Sequence, residues 1–116
     1  MTTILYGIPN CDTIKRARAW LAEQGIPYEF HDYKKSGVPG DHLPRWLSQL
    51  GWEKVVNRAG TAWRKLDDAT KAGVVDAASA TPVLTANPSV IKRPIVEWAD
   101  GSLTVGFVPE AWEGKH

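Results

Sequence analysis

The chain has 116 residues, 43% hydrophobic and 23% charged, with a net charge of +1. It is long enough for one domain with its own core, and its near-neutral charge gives no general pull toward nucleic acid or anionic membrane. A single cysteine excludes an intramolecular disulfide and a cysteine-rich metal site, and no run approaches the ~18 apolar residues of a membrane span.

Thr3 to Gly7 reads as a first strand. The Gly7-Ile8-Pro9-Asn10 turn leads into a helix with Asn10 as expected N-cap and Cys11 and Asp12 in its first turn. Ile14, Ala17 and Leu21 give that helix its buried stripe, while Lys15, Arg16 and Arg18 occupy other faces. Gly25 suits the C′ position and Pro27 cannot continue the helix. Tyr28 to Tyr33 alternates as a half-buried strand, so the two strands should be parallel about the helix.

Lys34 to Gly40 is polar, with two glycines and a proline, and is expected to be a loop. Asp41 is expected to cap a helix burying Leu43, Trp46, Leu47 and Leu50, with Pro44 in its first turn and Gly51 at its end. A short helical turn over Trp52–Val56 and a break at 57–61 follow, with Thr61 capping a short helix that carries Trp63 and Leu66. The alanine-rich Asp67–Ala80 stretch reads as mostly helical. Pro82 suggests a new helix capped by Thr81 and ending before Pro88. Ile95–Trp98 and Leu103–Phe107 flank an Asp100-Gly101 turn, a hairpin signal, and Pro109 to Glu113 opens a last short helix.

The six tryptophans are spaced for core packing. The expected fold is therefore α/β, a β-α-β unit, a helical insertion and a β-β-α unit around a mixed four-stranded sheet. That is the element order of the thioredoxin and glutaredoxin fold. Residues 1–116 read as one domain, with 41–87 as an insertion within it.

A lone cysteine is often inert and buried. Cys11 stands where a strand turns into a helix, and the helix amides there carry a partial positive charge that favours an anion. Ile14 occupies the place a second cysteine of a Cys-x-x-Cys pair would take, so a redox cycle needs an outside thiol. Lys15 lies one turn further on and is the cation of its helix best placed to reach the sulfur or a bound anion. Arg58 and Arg93 read as surface ion pairs on spacing alone. His31, His42 and His116 show no metal-ligand spacing, and the chain carries no phosphate loop, serine elbow or basic-aromatic surface.

Three blocks resemble the ArsC/Spx group of glutaredoxin-related proteins, most closely its small YffB-type branch. They are Tyr6-Gly7-Ile8-Pro9-Asn10-Cys11-Asp12-Thr13-Ile14-Lys15, the run from Asn57 to Leu66, and Asn87-Pro88-Ser89-Val90-Ile91-Lys92-Arg93-Pro94-Ile95. The resemblance implies that Cys11 is the catalytic cysteine, that Arg58 and Arg93 bind an oxyanion, and that Pro94 is a cis-proline beside the active site. The chain departs from arsenate reductases in having no arginine after Arg93 and no histidine shortly before Cys11. Losing one cation of three should weaken oxyanion stabilisation by a few kcal/mol.

The resulting expectation is a cytoplasmic, monomeric, metal-free thiol–disulfide oxidoreductase of monothiol type, with glutathione as co-substrate. Cys11 would attack a disulfide, and Asn10, Lys15, Arg58, Arg93 and Pro94 would bind glutathione. The alternatives are a glutathione-linked arsenate reductase and an Spx-like regulator that binds RNA polymerase.

Overall fold

A computed structural model describes residues 2–115. In chain order the elements are β1 (Thr3–Gly7), α1 (Asp12–Glu23), β2 (Tyr28–Asp32), α2 (Tyr33–Ser36), α3 (Leu43–Leu50), α4 (Trp52–Val55), α5 (Thr61–Arg64), α6 (Asp68–Gly73) and α7 (Ala77–Ala86). A 3₁₀ turn (Pro88–Val90), β3 (Ile95–Glu97), β4 (Leu103–Val105) and α8 (Pro109–Trp112) complete the chain. Two compact units result: Met1–Lys35 with Arg93–His116, and Ser36–Lys92.

The first unit holds a four-stranded mixed sheet in the order β2-β1-β3-β4. β1 runs parallel to β2 and antiparallel to β3, and β3 runs antiparallel to β4. Side chains alternate across a sheet, so Leu5 and Val96 share one face and pack with Ile14, Ala17 and Leu21 of α1, and with Ile26, Trp98 and Trp112. Trp112 lies edge-on to three rings: Phe107 at 5.0 Å, Trp98 at 5.1 Å and Trp20 at 5.6 Å between centroids. α1 ends in a Schellman motif: Gly25 turns left-handed at φ +67°, its N–H bonds the Ala22 carbonyl, and the Ile26 N–H bonds that of Leu21.

In this unit the structure moves several expected boundaries, among them the end of the third strand, which is Glu97 rather than Trp98. Cys11, not Asn10, is the N-cap of α1: it is extended (φ −139°, ψ 127°), and its carbonyl accepts the Lys15 N–H at 3.0 Å. β2 stops at Asp32, because Tyr33 opens the helical turn α2 where a loop was expected and the Asp32 carboxylate takes the Lys34 N–H at 2.8 Å. β4 ends at Val105, since Gly106 takes φ +83°.

The second unit is helical. α3 buries Leu43, Trp46 and Leu47 and ends on Gly51 at φ +92°. A turn anchored on the Pro39 carbonyl leads into it, so His42, already in a helical conformation, stands at its N-cap rather than Asp41. Gly60, not Thr61, is the N-cap of α5, and Leu66 lies beyond that helix. Pro82 does not start a helix but lies inside α7. The start belongs to Asp76, whose carboxylate accepts the Ser79 N–H while the Ser79 hydroxyl accepts the Asp76 N–H in a capping box. A bridge between Val56 and Ile91, with the Asn57 N–H donating to Val90 and the Lys92 N–H to Val55, ties the middle of the unit to its C-terminal end.

Candidate active site

Strand register gathers the candidate residues of the first unit. Gly7 pairs with Asp32 across the parallel ladder, and Tyr6 pairs with Ile95 across the antiparallel one. The segment leaving β1 (Ile8 to Cys11), the start of α2 and the segment entering β3 (Arg93-Pro94) therefore meet at one end of the sheet. The Arg93–Pro94 peptide is cis. Pro94 is buried, Arg93 half-buried, and the Gly106 N–H donates to the Pro94 carbonyl at 2.9 Å.

Cys11 is a free, half-buried thiol packed against the core cluster. Its place is set by α1: Ile14, fully buried, lies so close to Gly7 that a Cβ there would overlap its Cδ1. The missing side chain of Gly7 thus lets the first turn of α1 sit against the end of β1. Asn10 is exposed just before the cysteine and Lys15 exposed one turn after it. Arg58 belongs to the second unit, where its Nη2 lies 3.4 Å from Glu53 Oε2 and its guanidinium lies 5.6 Å from the Trp52 ring centre.

Sequence reasoning missed a buried polar cluster on the opposite face of the sheet from α1. The Tyr6 hydroxyl donates to Glu97 Oε1 at 2.7 Å, with both residues buried. The Tyr33 ring stacks 6.4 Å from Tyr6, and the His31 ring lies 4.9 Å from Tyr6. Burial pushes the Tyr33 hydroxyl pKa upward, Tyr6 and Glu97 add to that, and the positive charge of Arg93 opposes it. Alternation could have put His31 and Tyr33, two apart, on one face, but only the register, in which Ile4 pairs with Glu97, places Tyr6 and Glu97 together. Among the described residues no group of three or more His, Cys, Asp or Glu could hold a metal, and no helix is long and apolar enough to cross a membrane.

A mixed four-stranded sheet, a cysteine capping the helix after β1 and a cis-proline before β3 define a thioredoxin-like α/β protein. Within that class the chain belongs to the ArsC family, whose model matches residues 6–114. It is similar to a solved structure of a protein named YFFB, 50% identical, with a TM-score of 0.92 and 98% of each chain covered. It is also similar to an arsenate reductase (ArsC) related protein from Brucella melitensis, 50% identical, with a TM-score of 0.75 over 97% of this chain and 92% of that one. The global transcriptional regulator Spx of Streptococcus pyogenes serotype M6 is 28% identical over 98 residues, 79% of this chain and 69% of Spx.

Proposed function

We propose that the protein is a glutathione-dependent thiol–disulfide oxidoreductase of monothiol type, acting in the cytoplasm as a monomer. The observation that carries this reading is the placement of the chain's one cysteine, Cys11, at the N-cap of α1 with Arg93-Pro94 at the same end of the sheet. Membership of the ArsC family and the likeness to an arsenate reductase related protein support thiol chemistry there.

In the first step the Cys11 sulfur attacks the glutathione sulfur of a mixed disulfide. A Cys11–glutathione disulfide forms, and the substrate thiolate leaves and takes a proton. In the second step the thiolate of a free glutathione attacks the glutathione sulfur of that adduct, which releases glutathione disulfide and regenerates the Cys11 thiol. The mixed disulfide is thereby reduced by one free glutathione, which leaves joined to the substrate's glutathionyl group as glutathione disulfide. Ile14 cannot supply a resolving sulfur, so the second thiol comes from solution. Lys15 and Arg93 hold the glutathione carboxylates, and the backbone at Asn10 and Pro94 holds its peptide. A part for Arg58 in binding glutathione rests on the family resemblance alone.

Turnover of a glutathionylated substrate with glutathione and a recycling reductase tests this. Cys11→Ser should abolish turnover, and Arg93→Ala should raise the KM for glutathione more than it lowers kcat. Turnover that survives Cys11→Ser overturns the reading. Glutathione consumption that depends on added arsenate and disappears in Arg93→Ala would favour arsenate reduction instead.

The likeness to Spx favours a second reading, a non-enzymatic regulator that contacts RNA polymerase. Recovery of polymerase by the Cys11→Ser chain, in the absence of turnover by the unmodified chain, would select it.

A further inference from the structure

Helix α1 carries three cations, Lys15, Arg16 and Arg18, and among the described residues none has an acidic side chain within ion-pair distance. Two of them are held in place. The Arg18 Nε donates to the Tyr28 hydroxyl at 2.9 Å, and its guanidinium carbon lies 4.4 Å from the centre of the Phe30 ring and 5.8 Å from that of Tyr28. Arg16 lies 5.9 Å from the centre of Phe107. A guanidinium ordered on aromatic rings loses less freedom when it binds an anion than a free lysine does. With Nε engaged by Tyr28, the four Nη hydrogens of Arg18 remain to donate to a carboxylate.

The register of these residues ties them to the thiol. Positions 11, 15 and 18 are separated by four and three residues, so they lie along one face of the helix. Arg16 falls well off that line, as do Asp12 and Glu23, the acidic residues at the two ends of α1. Along the axis, Arg18 stands roughly 10 Å from Cys11 at 1.5 Å per residue. An extended peptide covers that distance in about three residues.

We propose that the α1 face formed by Cys11, Lys15 and Arg18 is a docking stripe for an acidic segment of a protein substrate. Arg18 takes an aspartate or glutamate about three residues from the substrate cysteine whose disulfide Cys11 attacks. The partner is identified by charge complementarity: two uncompensated cations, Lys15 and then Arg18, the latter pre-ordered on aromatic rings, lead away from the reacting sulfur. This rests on Cys11 as the reacting thiol and adds that the protein part of the substrate is recognised through Arg18.

Two measurements keep the failure of this proposal apart from failure of the glutathione reading. In the first, fluorescent ten-residue peptides carry Asp, Asn or Lys three residues to either side of a central serine, and their binding to Cys11→Ser is read by anisotropy. On one of the two sides, the Asp peptide should bind about fivefold more tightly than the Asn peptide, a gain of the size expected for one exposed charge pair. That preference should shrink in 0.5 M salt and vanish in Arg18→Gln, which keeps an amide near Tyr28 and the same melting temperature. Equal binding of all three peptides, or a preference that survives Arg18→Gln, overturns the proposal, as does stronger binding of a single-stranded oligonucleotide than of the Asp peptide.

In the second, the mixed disulfide of glutathione and 2-mercaptoethanol, which has no peptide beyond glutathione, is reduced by the unmodified chain and by Arg18→Gln. Equal rates are expected, with kcat/KM falling about fivefold for a glutathionylated acidic peptide only. An equal fall for both substrates makes Arg18 part of the catalytic scaffold and overturns docking. If neither chain reduces the small disulfide, the glutathione reading fails, and the binding series still decides the stripe.

Discussion

Gly7→Ala tests how the helix bearing Cys11 is seated. Gly7 has no left-handed φ, so its need for glycine is steric rather than conformational. A Cβ there would overlap Ile14 Cδ1 and stand 3.0 Å from Cγ1 and 4.0 Å from Phe30 Cε1. Ile14 is fully buried among Leu5, Ala17, Leu21 and Val96, so its side chain cannot swing aside, and overpacking of this kind costs about 1–3 kcal/mol. Ile14→Val removes the overlapping methyl and by itself costs ~1 kcal/mol. The double variant should therefore lose less than the sum of the singles, with a coupling of at least about 1 kcal/mol in urea unfolding. Because Ile14 stands three residues after the N-cap, Gly7→Ala should also slow glutathionylation of Cys11, and Ile14→Val should restore part of that rate. Additive losses, or a Gly7→Ala chain as stable as the parent, would refute the steric account.

Tyr6→Phe removes the hydrogen bond to the buried Glu97 carboxylate and should lower stability by about 1–3 kcal/mol in the same assay; an unchanged urea midpoint would show that bond to be worth nothing net. Asp76 has its carboxyl held below its ordinary value by the side-chain and backbone hydrogen bonds of Ser79. A depressed carboxyl contributes stability above its unfolded value that fades as pH falls through the folded one. Asp76→Ala should therefore lower the melting temperature at pH 7, with a gap that closes below about pH 4. Pro82 lacks the N–H that α7 would donate to the Ala78 carbonyl, so Pro82→Ala should stabilise the chain by about 1 kcal/mol or more. A fall in the urea midpoint would mean that the constraint Pro82 places on the unfolded chain outweighs the missing bond.

The framework of the first unit was legible in the sequence because periodicity and glycine chemistry agreed. Ile4 to Tyr6 is a short apolar run, Tyr28 to Tyr33 alternates, Ile14, Ala17 and Leu21 recur at helical spacing, and Gly25 and Asp100-Gly101 mark where the chain must turn. Cap positions were harder. Asn10 has the better capping side chain, yet the tight turn out of β1 leaves Cys11 extended at the boundary, and no side-chain cap forms. Pro82 misled for a related reason: proline favours a helix start, but the Asp76–Ser79 box had already started one six residues earlier. Cys11 stood out by its local setting, whereas the roles given to Arg58 and Arg93 came only from resemblance, since spacing cannot show which charges meet. The Tyr6–Glu97 bond spans 91 positions, beyond the reach of any local pattern, and needed the strand register to be seen.

Cys11 must exchange with glutathione for the chain to act as a monothiol oxidoreductase. Intact-mass analysis of the folded chain mixed with glutathione disulfide tests this most directly. One glutathionyl group should appear on Cys11 and leave when reduced glutathione is added, with one glutathione disulfide released per chain. A folded chain that gains no adduct while Cys11 still reacts with a small alkylating agent would contradict it.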